Sequence, residues 1–317
     1  MMKRLLVVLM AVLAPLISAN AQEAVMVVEA HSGKVLIGKN STVKRPVASL
    51  TKVATAVLVV DWAEAAGVDL ATREVVVPNS VAGLGGSNPM RLVPGDRLTA
   101  LDALFSAMLG SDNAAAQTLA HDVGIEFLRR EGRQGDPVAA FVAQMNHLAE
   151  ALTMRKTHFV NPHGLEAQGS VGLSTAADIA KLSIYAMRRP GVTFVTRQSS
   201  RQVKVRGAAG ERAFTVKNTN ELVSEHIIGV KTGTTAGAGE CLAISSEREP
   251  MVRAKADGSK GVTPRRLIVV LLNTQDRFGR AKGLVQQGWG LYDGWVAHGA
   301  PVNDREREIL TVPDPRG

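Results

Sequence analysis

Cysteine is almost absent: Cys241 is the single example in 317 residues. No disulfide can therefore form within the chain, and its stability must come from a packed core. A buried, inert thiol is the expected state of that residue. Aromatic residues amount to 4%, too few for the stacking platforms that single-stranded nucleic acid requires. Histidines number seven, but only His158 and His163 lie close together, in HFVNPH, and no HExxH occurs. Three converging zinc ligands are not supplied, so no metal is expected, and the two loop histidines are read as turn residues. The glycine-rich GLGGSN (residues 83–88) follows no βαβ pattern and has no Walker lysine, which argues against a nucleotide enzyme. It reads as a loop bordering a site.

Long apolar runs are also lacking beyond the first one. MMKRLLVVLMAVLAPLISANAQ places Lys3 and Arg4 before an apolar stretch from Leu5 to Ile17 and ends in Ala19-Asn20-Ala21, a small-x-small pattern. This is the arrangement of a secretory signal, residues 1–21, cleaved after Ala21. A membrane anchor is disfavoured because spanning takes about 20 apolar residues and Pro15 interrupts this shorter run. The mature chain is expected to be soluble outside the cytoplasm, in the periplasm. Removing Lys3 and Arg4 with no acid lowers the formal charge from +8 by two. A basic exported protein suits anionic envelope polymers or lipid headgroups, at most peripherally for a membrane, and the same charge also serves plain solubility. Export argues against nucleic acid as a partner.

What is present is a well-cored chain, 45% hydrophobic, with room for one large domain or two ordinary ones. AVMVVEA and KVLIGKN flank His31-Ser32-Gly33 as strand, turn and strand. ASLTKVATAVLVVDW, residues 48–62, then reads as a helix buried on every side, ending near Gly67. From about 68 to 200 the chain is mostly helical, with Thr99-x-x-Asp102, Asp136-Pro137 and Thr175-x-x-Asp178 as helix starts. After 200 strand signals return in RQVKV, AFTVKN, IIGVKTGT, CLAISS and LIVVLLN. A last helix spans about Arg277 to Trp295. Strands at both chain ends around a helical insertion imply one sheet built from the two ends, with a site at the seam. The charged segment 247–266 is expected as a long exposed hairpin excursion.

Three short motifs carry chemistry. Ser49 and Lys52 stand at i and i+3, neighbours on one helical face, although a serine there also serves as a cap. The same S-x-x-K spacing at Ser41 and Lys44 runs into Arg45-Pro46, where a helix is disfavoured. A lysine in the first turn of a buried helix loses hydration, which disfavours its charged form, and a neutral amine beside a hydroxyl is a base beside a nucleophile. Ser111-Asp112-Asn113 occupies a tight turn between helices, where a helix cap is the plain alternative. Lys231-Thr232-Gly233 lies in a strand whose edge could pair with an extended peptide. A charged edge that merely discourages aggregation is the other reading.

Together and in this order, the three match the S-x-x-K, S-D-N, K-T-G set of serine β-lactamases and penicillin-binding proteins. With PVASLTKVATA, RLVPGDRLTALDAL, THFVNPHGL, NTNEL and GVKTGTTAGAGECLA, the chain from about 24 to 295 resembles the low-molecular-mass penicillin-binding proteins, serine D-alanyl-D-alanine carboxypeptidases and endopeptidases. The resemblance implies an α+β, β-lactamase/transpeptidase-like fold: a five-stranded antiparallel sheet flanked by helices, in a catalytic domain over residues 22–298 with a helical subdomain at about 68–200 and a short tail at 299–317. It implies no cofactor. It also implies that Ser49 attacks the penultimate D-Ala carbonyl of a peptidoglycan stem peptide, with Lys52 as base and Ser111 relaying a proton to the departing amine. Asn113 would hold the substrate amide, Lys231 would bind through its charge, and Thr232, within the Lys231-Thr232-Gly233 strand, would contact the terminal carboxylate. The N–H groups of Ser49 and Thr234 would form the oxyanion hole, with Arg277 near the carboxylate. β-Lactams would acylate Ser49, and the lack of an E-x-x-L-N segment between Ser111 and Lys231 predicts slow release. Only 22 residues follow Trp295, among them Pro301, Pro313 and Pro315, so the β-rich second domain and amphipathic helix of membrane-held members are not expected. A penicillin-binding sensor with little turnover is the reading from another class.

Overall fold

The computed structural model describes residues 22–167, 169–254 and 259–315; the proposed signal at 1–21 lies outside them. The chain opens with a hairpin, β1 (Ala24–Glu29) and β2 (Val35–Lys39). Its turn is organised by Glu29, whose carboxylate accepts from the backbone N–H groups of His31 and Ser32 at 3.0 and 2.7 Å. A short 3₁₀ turn over Ala48–Thr51 leads into α1 (Lys52–Ala66), which stops at Gly67 with φ +65°. That glycine supplies the left-handed cap at no steric cost. β3 (Glu74–Val76) and β4 (Arg97–Thr99) follow, then α2 (Ala100–Leu109), α3 (Asn113–Arg130), α4 (Pro137–Ala151), α5 (Ala176–Met187) and α6 (Pro190–Thr196). Thr99, Asp136 and Thr175 cap their helices through side-chain oxygens. The second half carries β5 (Ser200–Gly207), β6 (Gly210–Lys217), β7 (Ile227–Thr235), β8 (Gly239–Ala254) and β9 (Lys260–Thr274), then α7 (Arg277–Ala297) and a single turn, α8 (Arg305–Glu308).

β2, β1, β9, β8 and β7 form one antiparallel sheet in that order, with β7 at its edge. The expected sheet drawn from both chain ends is thus present. Successive residues of β9 face opposite layers: Val270 belongs to the main core on the side of α5, whereas Val269 belongs to the cluster under α7. That period of two explains why LIVVLLN is apolar throughout, since both faces of the sheet are covered. Over its first nine residues α1 lies inside the helical layer, with Val53, Ala56, Val57, Val59 and Val60 all at most 3% exposed, as the nearly continuous apolar run predicts. Its last turn, Glu64, Ala65 and Ala66, is exposed, so it is not buried on every side to its end.

One expectation needs correction. The hairpin β5–β6 does not join that sheet. It pairs with β3 and β4 in a second, four-stranded sheet, ordered β3-β4-β5-β6. Strands of three residues leave no periodicity to read, so their pairing partner was invisible. In the expected hairpin excursion at 247–266, on either side of 255–258, β8 and β9 continue past the sheet as a two-stranded ribbon, with Val252 exposed opposite Val262. Residues beyond α7 also belong to the packed structure. Leu310 and Val312 lie against the main core, and the Leu310 N–H donates to Gly33 O at 2.7 Å.

Candidate active site

α1 begins with its polar end buried. The Lys52 side chain is fully enclosed at 0% exposure, and its Nζ lies 3.0 Å from Ser49 Oγ, 2.6 Å from Asn113 Oδ1 and 2.8 Å from the carbonyl of His163. Ser49 itself sits in the 3₁₀ turn and makes no capping bond, so the plain reading of it as a helix cap fails. Immediately before it, Ala48 adopts φ +48°, a left-handed conformation that costs a β-carbon residue about 1–2 kcal/mol. Such strain is held only where the surroundings over-determine it.

Those surroundings are visible from two sides. A β-carbon on Gly164 would sit 1.9 Å from Ala48 O, and one on Gly233 would sit 2.9 Å from Ser49 N. Loop 161–167 and strand β7 therefore press the serine turn between them, and both contacts demand glycine. Asn161 shapes the loop: its Oδ1 accepts from the N–H groups of His163 and Gly164, and its Nδ2 donates to Leu165 O. Nδ1 of the His163 ring accepts from Leu165 N at 3.2 Å. Burial, reinforced by Lys52, drives that imidazole down to about 3, which keeps it neutral. As expected of the loop histidines, it is a turn element.

The second motif divides its labour. Asp112 is the cap of α3, accepting from Ala115 N at 3.0 Å and from Ser106 Oγ at 2.9 Å. Ser111 is not the cap. It stands at φ +58° on the wall of a cavity of about 380 Å³ shared with Ser49, Thr232 and Arg277. Asn113 is oriented by donating Nδ2 to Gly85 O at 3.0 Å, which turns Oδ1 toward Lys52. Gly86 makes room for it, since a β-carbon there would meet Asn113 Nδ2 at 2.2 Å. GLGGSN thus supplies one wall of the cavity, as its place in the sequence suggested.

The third motif lines the opposite wall. Thr232, Gly233 and Thr234 face the cavity, while Lys231 lies beneath it, 2% exposed. Two buried amines now share one region. Desolvation holds the Lys52 amine well below the ordinary lysine range, and the positive charge of Lys231 depresses it further. Lys231 is brought down to about 7, again by burial first and by Arg277 second. Arg277 opens α7 and donates to Gly233 O at 3.0 Å and Cys241 O at 3.3 Å, with Glu240 Oε1 at 3.3 Å. Its guanidinium braces β7 from behind as well as reaching the cavity. Cys241 is 0% exposed and burial pushes its thiol up to about 11, the inert state expected.

All nine residues singled out from the sequence converge here: Ser49, Ser111, Asn113, Thr232, Gly233, Thr234 and Arg277 on the cavity wall, with Lys52 and Lys231 just below. Two partners escaped the sequence reading. Thr219 hydrogen-bonds Thr232 through their hydroxyls at 2.6 Å, and Glu166 binds Thr235 and Gly237 at the end of β7. Thr219 lies in NTNEL and Glu166 directly follows THFVNPHGL, but nothing local says what they touch.

Comparison with known proteins agrees with this geometry. The sequence pattern of the D-alanyl-D-alanine carboxypeptidases, peptidase S11, matches residues 10–255. A D-alanyl-D-alanine carboxypeptidase of Mycobacterium tuberculosis is 30% identical over 84% of this chain and 77% of its own length. One from Bacillus subtilis is 28% identical over 74% of this chain, which spans only 56% of that protein. A D-alanyl-D-alanine endopeptidase of Escherichia coli is 29% identical over 71% of this chain and 66% of its own. The crystal structure of the Streptomyces K15 DD-transpeptidase superposes with a TM-score of 0.69 at 26% identity, covering 84% of this chain and 96% of that one. By matched pattern and shared fold, the chain belongs to the D-alanyl-D-alanine carboxypeptidase family, peptidase S11.

Proposed function

We propose that this protein is a serine D-Ala-D-Ala carboxypeptidase that removes the terminal D-Ala of peptidoglycan stem peptides through an acyl-enzyme on Ser49. The observation that carries the reading is the 3.0 Å contact between Ser49 Oγ and a fully buried Lys52 amine. A neutral amine has two hydrogens and one lone pair. Asn113 Oδ1 and His163 O can only accept, so they take both hydrogens, and the lone pair is left for the Ser49 O–H. The serine is thereby held as a donor to its base, the arrangement an activated nucleophile needs.

Ser49 Oγ attacks the penultimate D-Ala carbonyl as its proton passes to Lys52. The backbone N–H groups of Ser49 and Thr234 stabilise the oxyanion. Ser111 relays the proton to the departing D-Ala amine as the C–N bond breaks. Water then attacks the ester as Lys52 takes its proton, the acyl C–Oγ bond breaks with that proton returned to Ser49, and the shortened peptide leaves as a carboxylate. Asn113 holds the peptide amide, while Lys231, Thr232 and Arg277 offer positive charge and a hydroxyl to the terminal carboxylate. β-Lactams enter the same route as covalent inhibitors. The fold also occurs in Listeria monocytogenes penicillin-binding protein D2 with cefotaxime bound, at 24% identity and a TM-score of 0.65. Residues 1–21 are proposed as the export signal of a periplasmic enzyme whose catalytic unit is 22–298.

Cleavage of D-Ala crosslinks is the second reading, favoured by the relatives named as endopeptidases. D-Ala release from a D-Ala-D-Ala pentapeptide, measured beside cleavage of crosslinked dimers, separates the two. The carboxypeptidase reading expects the faster turnover on the pentapeptide, and Ser49→Ala is expected to abolish both turnover and penicillin labelling while remaining folded. Turnover of neither substrate with stable labelling would leave a sensor, and labelling that persists in Ser49→Ala would reject the nucleophile.

A further inference from the structure

Loop 161–167 touches the proposed machinery at both ends. Its first half serves the base: His163 O accepts from Lys52 Nζ, Pro162 O accepts from Thr55 Oγ1 at 2.6 Å, and Gly164 packs on Ala48 O. Its second half ends in Glu166, whose Oε1 accepts from Thr235 Oγ1 and whose Oε2 accepts from Gly237 N at 3.2 Å. Thr235 Oγ1 in turn accepts from Ala238 N at 3.1 Å. One carboxylate therefore organises the turn that joins β7 to β8. It acts on the residue directly after Thr234, whose N–H is half of the proposed oxyanion hole.

We propose that Glu166 is a positioning residue for acyl transfer, tying the Thr234 N–H to the same loop that holds Lys52. The inference rests on the serine-peptidase reading of the site and adds to it. A loop carboxylate near a reactive serine also invites another role, activation of the deacylating water. The surroundings of Glu166 oppose that. Both its oxygens are engaged by β7 and the following turn, and it does not line the 380 Å³ cavity over Ser49. It borders instead a gap of about 10 Å³ behind the serine turn, beside Ala48, Thr51 and Gly164, at or below the size that admits one water. The structural demand on the turn is equally specific, because a β-carbon on Gly237 would fall 2.5 Å from Glu166 Oε2. Oxyanion donors act only when aimed at the position the oxygen takes in the transition state. A tether one residue away therefore bears on the rate of acylation rather than on substrate affinity.

The test is penicillin acylation of the full chain, resolved into the non-covalent constant and the acylation rate constant, together with a depsipeptide ester and its thionoester. A sulfur at the oxyanion position exploits these donors poorly, so a displaced hole shrinks the ester-to-thionoester rate ratio. Glu166→Ala is expected to slow acylation by about tenfold to a hundredfold, with the non-covalent constant within about threefold and the ratio reduced. Glu166→Gln should recover most of the rate. Thr235→Val should reproduce the defect, and combining it with Glu166→Ala should add little. If Glu166→Ala does not fold, Glu166→Gln and Thr235→Val decide. Acylation within twofold of wild type, an unchanged ratio, or a defect confined to deacylation would each overturn the proposal. Failure of the wild-type chain to acylate at Ser49 would instead overturn the serine-peptidase reading beneath it.

Discussion

α1 has a cavity at each end. The one at its C-terminal end is the larger, about 650 Å³ between Trp62, Val68, Arg73 and Phe127; the one at its N-terminal end, over Ser49, is about 380 Å³. The charges lining the larger one are largely settled by one another. Arg73 pairs with Asp122 at 2.9 Å and Glu126 at 3.3 Å, Arg129 pairs with Glu126 at 2.6 Å, and Arg73 also lies 5.8 Å from the Trp62 ring centroid. Beneath the smaller cavity lie two amines stripped of water, Lys52 and Lys231. Paired, half-solvated ions are worth about 1 kcal/mol or less and are at rest. A desolvated amine held against a hydroxyl is not at rest, and volume alone would have pointed to the wrong end of the helix.

The comparison breaks most sharply at Lys52. Replacing it by Met keeps the volume and removes the base, so acylation by penicillin is expected to fall by about 10³-fold. Stopped-flow or quench measurement of labelling would show it, and a rate within about tenfold of wild type would place the base elsewhere.

A smaller effect sharpens the role of the shared charge. Lys52 accepts a proton only when neutral, so acylation should decline as pH falls through its titration, which burial and the Lys231 charge keep well below 10.5. In Lys231→Met one of those two causes is gone, Lys52 holds its proton more tightly, and the acid limb of the acylation profile should move to higher pH. A limb that stays or moves down would show that the amines do not interact. Stability offers the opposite check. Folded Lys231, titrating at about 7 rather than 10.5, binds fewer protons than the unfolded chain between those values. Wild-type stability therefore gains with rising pH across that window, and Lys231→Met should gain less.

How much of this could be read before folding depends on the range of the signal. Helix ends were legible because Thr99, Asp136, Thr175 and Gly67 act within a few residues of themselves. The motif lysines and serines were legible because each motif is local, and its place in a helix start, turn or strand could be checked against its neighbours. What stayed hidden depends on long-range partners. β3 and β4 are too short to show a period and acquire meaning only beside β5, a hundred residues or more downstream. The bond from Glu166 to Thr235 crosses 69 positions, and the φ of Ala48 is imposed by Gly164 and Gly233 from other parts of the chain. Motif spacing thus locates the groups that react, while the groups that hold them in place emerge only from packing.

The mildest expected effect lies at the other end of α1. Trp62 is half-buried and contributes apolar area beside paired ions, so Trp62→Ala should cost about 1–2 kcal/mol of stability, seen as a lowered unfolding midpoint. It connects to Ser49 through two long, well-packed elements: α1, whose intervening turns are packed by Val53, Val57 and Val60, and α3, which carries Phe127 beside Trp62 at one end and Asn113 beside Lys52 at the other. Acylation measured well below the new midpoint should then stay within about twofold of wild type, with an unmoved acid limb. A change in the acylation rate without a change in stability would mean that the larger cavity is energetically coupled to the serine. In that case the two ends of the helix would have to be treated as one site.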